Sequence, residues 1–183
     1  LLRAFGAGEE YLGNAELSNR TGIPRPSVSR LTYTLTQLGY LQHNPDIEKY
    51  RLGAGVLALG YRYLANMGIR DLARPHLQRL ADATDCSVSL GTADRTSMMY
   101  LESCHGTGPL IIRLGVGSRL PMATSAIGRA WLCGVSDERR QQLMGELRAI
   151  HKGDWARIEA GIEKSLADYR EYGFCLSEED WQP

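Results

Sequence analysis

A chain of 183 residues, 43% apolar and 23% charged with a formal net charge of zero, can build one or two domains with real cores and need hold no large disordered part. No apolar run approaches the roughly 18 residues that span a bilayer and nothing resembles a secretion signal, so the expected setting is the cytoplasm, with no membrane partner. The four cysteines (Cys86, Cys104, Cys133 and Cys175) form no C-x-x-C pair, which argues against a zinc site and fits reduced thiols.

Residues 1–5 read as the end of a helix already under way, and the chain does not begin with methionine, so a preceding segment is expected. A short helix then leads into a turn at Thr21-Gly22-Ile23, and a longer helix opens near Arg25-Pro26. Val28, Leu31, Leu35 and Leu38 recur at spacings of three, four and three, which puts them on one face and predicts that this face docks onto the preceding helices. The opposite face carries Pro26, Ser29, Arg30, Tyr33 and Gln37, and no acid occurs from Arg25 through Gln37, so an anionic partner suits it. Proline is tolerated in a first helical turn because its missing N–H would be unpaired there, and Gly39 makes a sound stop.

Tyr40-Leu41-Gln42-His43 and Lys49-Tyr50-Arg51-Leu52 alternate large apolar with polar residues, as half-buried strands do, around a turn at Asn44-Pro45-Asp46. Tyr50 then points inward, while Lys49 and Arg51 share the face that reaches phosphate. A helix-turn-helix followed by such a hairpin is the layout of a winged DNA reader. Residues 18–51 hold five cations (Arg20, Arg25, Arg30, Lys49, Arg51) against two acids (Asp46, Glu48), a modest excess that a symmetric dimer would present twice. Taken without its flanks, the longer helix reads more readily as an ordinary surface helix of an all-helical domain; the turn before it and the hairpin after it reverse that preference.

This stretch resembles the N-terminal domain of the IclR-type bacterial transcriptional regulators. Their pattern, L-A-x-x-T-G-[LI]-P-K-S-T-V-x-R-L-L-x-T-L-x-x-x-G-Y-[LV] and then a wing ending in Y-R-L-G, is met by Leu17, Thr21-Gly22-Ile23-Pro24, Val28, Arg30-Leu31, Thr34-Leu35, Gly39-Tyr40-Leu41 and Tyr50-Arg51-Leu52-Gly53. Pro26 replaces the usual serine and Ser29 a frequent histidine, departures that bear on the operator sequence and not on the fold. The implied partner is a double-stranded DNA operator. Its expected contacts are Arg25, Ser27, Ser29, Arg30 and Tyr33 from the recognition helix, with Arg30 foremost, and Lys49 and Arg51 from the wing.

Residues 56–65 are apolar and aromatic on most sides, so one side of this helix must face another protein surface. In the resembled family the segment is a linker helix packed between protomers, which implies a homodimer that can pair again into a tetramer. Asn66-Met67-Gly68 breaks the helix. The expected organisation is a reader at 1–53, a linker and dimerisation helix at 54–68, and an effector-binding domain at 69–183.

The remainder reads as α+β. Asp71 opens a helix with Leu72, Leu77 and Leu80 as its stripe, residues 86–93 and 97–104 form a hairpin, and 110–113 make a third strand. Helices follow around Ile127–Leu132, at 137–147 and at 154–171, and residues 173–176 read as the opening of another strand. Such a sheet is unfinished at its edge. The resemblance implies an antiparallel, GAF-like effector domain with helices, continuing beyond residue 183.

Gly117 to Ala130 is similar to a second family motif, G-S-x-[LM]-P-[LM]-[HA]-[AT]-[TS]-[AG]-x-G-[KR]-A, a loop that opens a helix. Small residues at a helix start leave room for a ligand, and the unpaired N–H groups there attract carboxylates. The same small residues also suit plain helix–sheet packing. By the resemblance, Leu120, Ala126 and Ile127 line an effector pocket, with Ile112 on an adjacent strand and Glu178 nearby, and the effector is a small organic acid. Catalysis is not expected: Ser125 lacks a G-x-S-x-G elbow, His43, His76, His105 and His151 are scattered, and Gly106-Thr107-Gly108-Pro109 lacks a phosphate-loop lysine. No cofactor and no metal are expected. The implied function is ligand-responsive, sequence-specific transcriptional regulation, repression being the commoner mode. The alternative is a winged-helix protein-interaction or small-molecule-binding module without operator recognition.

Overall fold

A computed structural model describes residues 1–6, 8–108, 114–178 and 180. They fall into two compact units, Leu1–Met67 and Gly68–Pro183.

In the first unit a single 3-10 turn, Leu2–Ala4, precedes α1 (Asn14–Thr21), α2 (Arg25–Gln37), β1 (Leu41–Asn44), β2 (Lys49–Leu52) and α3 (Ala54–Ala65). Helix α1 starts where the Glu16 carboxylate accepts the Gly13 N–H at 2.6 Å, satisfying one of the donors that a helix start leaves orphaned. It ends at Gly22, whose φ of 69° turns the chain into the left-handed region where a side chain would be strained. Pro26 lies in the first turn of α2. Leu12, Leu17 and Val28 are buried at the centre, with Phe5, Ile23 and Tyr50 packed around them. The strands pair antiparallel from Leu41 opposite Leu52 to Asn44 opposite Lys49. Leu12 adds a further rung, exchanging both backbone hydrogen bonds with Tyr50 at 2.9 Å.

The docking face of α2 differs from the expected stripe. Val28 is fully buried, yet Leu31 is 41% and Leu38 60% exposed, and the second fully buried position is Thr32. At about 100° per residue, Thr32 lies only about 40° around the helix from Val28, whereas Leu31 and Leu38 lie about 60–80° to the other side. The Thr32 hydroxyl is satisfied by the Val28 carbonyl at 3.0 Å, so a polar residue fits the core. Helix α3 buries no residue, and Leu57, Leu59, Tyr61 and Tyr63 are all exposed.

The second unit contains α4 (Gly68–Thr84), β3 (Ser87–Asp94), β4 (Ser97–His105), β5 (Arg119–Pro121), α5 (Ala126–Gly134), α6 (Asp137–Ile150) and α7 (Trp155–Tyr172). The sheet order is β3-β4-β5, antiparallel throughout, with a register shift between Leu90 and Gly91. Met98, Leu120, Met122, Leu132, Leu143 and Ile162 form the core between this sheet and the later helices. The strand expected at 110–113 lies outside the described residues; the third described strand is β5, pairing Met99 with Arg119 and Ser97 with Pro121.

Two further expectations are corrected. Leu72 and Leu80 are 70% and 52% exposed, so α4 does not dock by that stripe. Ala81 is its buried residue, and the anchor is ionic: Glu102 of β4, 3% exposed, lies 2.8 Å from Arg70 Nε and 3.1 Å from Arg74 Nη1. A carboxylate removed from water needs such partners, and two guanidinium groups supply them. Residues 173–176 form no strand. Gly173 caps α7, and the following segment is held by side chains: Ser177 Oγ donates to the Thr124 carbonyl at 2.5 Å, and Arg129 Nη1 donates to the Leu176 carbonyl at 3.3 Å.

Candidate functional site

On α2 the side chains of Arg25, Ser29, Arg30 and Tyr33 are exposed together, and Ser27 is half-buried. Arg25 and Arg30 have no side-chain partner among the described residues, and α2 carries no acid to neutralise them. The Ser29 hydroxyl accepts from Asn14 Nδ2 at 3.3 Å, which ties it to α1.

The wing cations stand differently. Lys49 Nζ lies 3.2 Å from the Glu16 carboxylate. Arg51 lies 3.0 Å from Glu10, donates through Nε to Gln42 Oε1 at 2.9 Å, and sits 5.7 Å above the Tyr11 ring. Arg20 is likewise paired with Glu9 through two nitrogens, at 2.5 and 2.7 Å. The Arg20 guanidinium holds the Glu9 carboxyl below its ordinary range; the Gly13 N–H, and then Lys49, do the same for Glu16. Tyr50 is half-buried, its ring 4.8 Å from that of His43.

In the second unit a cavity of about 440 Å³ is lined by Ser87, Ser89, Tyr100, Leu114, Leu120, Ser125, Ala126, Ile127 and Ser177. Three of the expected residues, Leu120, Ala126 and Ile127, therefore meet on its wall. Ile112 lies outside the described residues. Glu178 is exposed and is not part of the described lining; its neighbour Ser177 is.

The hydroxyls were missed by sequence reasoning, although Ser87 and Ser89 alternate along β3 and so share a face. Ser89 Oγ is 2.6 Å from Ser103 Oγ, which donates onward to the Leu114 carbonyl at 3.1 Å. Ser87 Oγ is 2.8 Å from His105 Nδ1. Burial pushes the Tyr100 hydroxyl above its ordinary value, and its bond to Ser89 partly opposes this. Ser125 caps α5, donating to the Pro121 carbonyl at 2.6 Å and accepting the Gly128 N–H at 3.3 Å. None of the described lining residues is charged; those that would meet an anion are the hydroxyls and the first-turn N–H groups of α5 at Ala126 and Ile127.

Behind this wall α5 is packed without slack. A Cβ on Gly128 would stand 2.1 Å from the Met122 carbonyl oxygen. Arg129, 4% exposed, donates to the Ala123 carbonyl at 3.3 Å and pairs with Asp180 at 2.8 Å, and Asp180 also pairs with Arg157 at 3.0 Å. Cys133 of α5 and Cys175 bring their sulfurs to 3.7 Å, and burial, then the Cys133 thiol, push Cys175 up to about 12. Among the described residues no group of three or more His, Cys, Asp or Glu side chains could hold a metal ion. No described helix is long and apolar enough to cross a membrane.

The chain thus carries a winged helix-turn-helix and, after it in sequence, a helix-covered antiparallel sheet with a cavity of about 440 Å³. The family described as bacterial transcriptional regulator IclR C-terminal matches residues 61–182, and the IclR helix-turn-helix domain matches residues 1–45. The chain belongs to the IclR family of bacterial transcriptional regulators. It is 35% identical over 180 residues to the HTH-type transcriptional regulator TsaQ1/TsaQ2 of Comamonas testosteroni, covering 97% of this chain and 64% of that relative, less than two thirds of its length. An IclR family transcriptional regulator from Brucella abortus matches with a TM-score of 0.93 and 40% identity, over 98% of this chain and 68% of that one. The fold is shared at a TM-score of 0.64 and 22% identity with an IclR homolog from Microbacterium hydrocarbonoxydans complexed with 4-hydroxybenzoate, over 94% of this chain and 71% of that one.

Proposed function

We propose that this chain belongs to a cytoplasmic, ligand-responsive repressor that binds double-stranded operator DNA as a homodimer. The observation that carries the reading is the acid-free face of α2, with Arg25 and Arg30 exposed and without a side-chain partner among the described residues, beside Ser29 and Tyr33. An unpaired guanidinium loses no internal bond on meeting a base edge or phosphate. In this reading residues 1–53 read DNA and 54–68 dimerise. Residues 69–183 bind the effector. The exposed Leu57, Leu59, Tyr61 and Tyr63 of α3 support an apolar contact with a second copy. A two-fold pair of readers would then enter successive major grooves of a roughly palindromic site.

The effector we propose is a small organic acid. A cavity of about 440 Å³ with apolar walls at Leu114, Leu120 and Ile127, hydroxyls around them and a helix start at its edge suits a compact ligand with one anionic end. The 4-hydroxybenzoate held by the Microbacterium hydrocarbonoxydans homolog is of that chemistry. Its binding switches the regulator only by favouring one of two states of the dimer over the other.

The test is fluorescence anisotropy of the chain on its own upstream DNA across a salt series. Selective binding whose affinity falls steeply with salt supports phosphate contacts plus base readout. Absence of selective binding to this and to pool-selected DNA at low salt overturns the reading.

A further inference from the structure

Of the five cations in residues 18–51, three are already neutralised: Arg20 by Glu9, Lys49 by Glu16 and Arg51 by Glu10, all from residues ahead of that stretch. The two wing cations thus differ from Arg25 and Arg30, which have no such partner among the described residues. Glu16 cannot simply swing aside, because its carboxylate also accepts the Gly13 N–H at 2.6 Å at the start of α1. Arg51 is held by Glu10, Gln42 and the Tyr11 ring together.

We propose that Glu10 and Glu16 are specificity-determining residues that hold Arg51 and Lys49 off the DNA backbone and so suppress binding to non-cognate duplex. This rests on the reading that α2 binds DNA. Phosphate contacts are sequence-independent, so every cation that finds a phosphate strengthens specific and non-specific binding alike. A carboxylate beside that cation opposes the contact twice, by occupying the donor and by repelling the phosphate. Base contacts from α2 are unaffected by these pairs. The carboxylates therefore lower the non-specific background more than the cognate signal. Both pairs are solvent-exposed, with side-chain exposures of 39% and 45% for Lys49 and Glu16 and of 40% and 66% for Arg51 and Glu10, so a well-placed operator phosphate can draw the cation away while the carboxylate stays in place.

The experiment compares the full chain with Glu16→Gln, Glu10→Gln and the double variant. The probes are a duplex that the wild type enriches from a random pool and a scrambled duplex of the same composition, each titrated across a potassium chloride series. Glutamine at position 16 keeps an oxygen for the Gly13 N–H, so α1 retains its cap, and a thermal melt checks this. The variants should bind the scrambled duplex several-fold more tightly, lower the selected-to-scrambled ratio, and steepen the logarithmic salt slope by about 0.9 for each cation released per reader. Removing both charges of the pair together, Lys49→Gln with Glu16→Gln, should barely change scrambled-duplex binding, because the pair carries no net charge. An unchanged ratio and slope in the Glu16→Gln and Glu10→Gln variants, or a large loss on both duplexes when Lys49 and Glu16 are both replaced by glutamine, overturns the proposal while leaving wild-type operator binding intact. Failure of the wild type to enrich any duplex overturns the DNA-reading function itself.

Discussion

Replacing Gly128 with alanine would put a methyl group where the Met122 backbone stands. The new Cβ would lie 2.1 Å from the Met122 carbonyl oxygen, 2.5 Å from its Cα and 2.6 Å from its carbonyl carbon. Even close C–H···O contacts keep carbon and oxygen about 3.3 Å apart, so the chain must yield by roughly 1 Å. The obstacle is backbone, and no rotamer change relieves it. Overpacking of this kind costs about 1–3 kcal/mol, at its upper end here, and the better helix propensity of alanine returns about 1 kcal/mol. The net loss is about 2 kcal/mol, or about 10 °C in the melting temperature of a unit of this size. Gly145→Ala is the matched control, since Gly145 is exposed within α6 and its Cβ would meet nothing within 4 Å. Its melting temperature should rise by a few degrees, from a gain of up to about 1 kcal/mol. Scanning calorimetry of both variants decides the matter. A Gly128→Ala protein as stable as the wild type would refute the close-packing argument for the α5 start, and with it the rigidity of the cavity wall.

Glu9 and Glu16 have carboxyl groups held below their ordinary value of 4.5, so their pairs stabilise the first unit above that pH, and the contribution is lost as pH falls below it. The urea midpoint of the wild type should therefore drop on acidification below 4.5, and Glu9→Gln should flatten that drop. Cys175, pushed up to about 12, should resist alkylation at neutral pH until denaturant is added, while exposed Cys86 is modified first, as peptide mass spectrometry would show. If α3 is a dimer surface, Leu57→Glu with Tyr61→Glu should shift sedimentation to the monomer without unfolding either unit. A dimer that persists unchanged would exclude that surface.

Local chemistry made the reader legible. Pro26 in a first turn and Gly39 as a stop set the ends of α2, and alternation set β1 and β2 to within a residue. The ion pairs were not legible, because Glu16 and Glu10 lie 33 and 41 residues from the cations they meet. Thr32 took a core position because its hydroxyl bonds to its own helix, which no apolar stripe reveals. Helix α4 misled for the opposite reason: its anchor is charged, through Glu102, while Leu72 and Leu80 face solvent. Strand β5 is three residues long and contains a proline, too short for alternation to register; only pairing with β4 defines it. The motif residues Leu120, Ala126 and Ile127 meet at the cavity, but Tyr100, Ser89 and Ser177 come to it from elements whose facing depends on the bulge at Leu90 and on the chain after α7.

The central claim is that the α2 face reads DNA, and Arg30→Ala tests it most directly. The substitution removes an exposed guanidinium that has no side-chain partner among the described residues, and should leave fold and dimerisation unchanged. Anisotropy on the duplex selected by the wild type should show a loss of about 1–3 kcal/mol if Arg30 contacts a base, with discrimination relaxed at one position. If it contacts phosphate, binding should weaken on all duplexes and the salt slope should fall by about 1. Wild-type affinity, selectivity and salt slope in the Arg30→Ala chain would contradict the account.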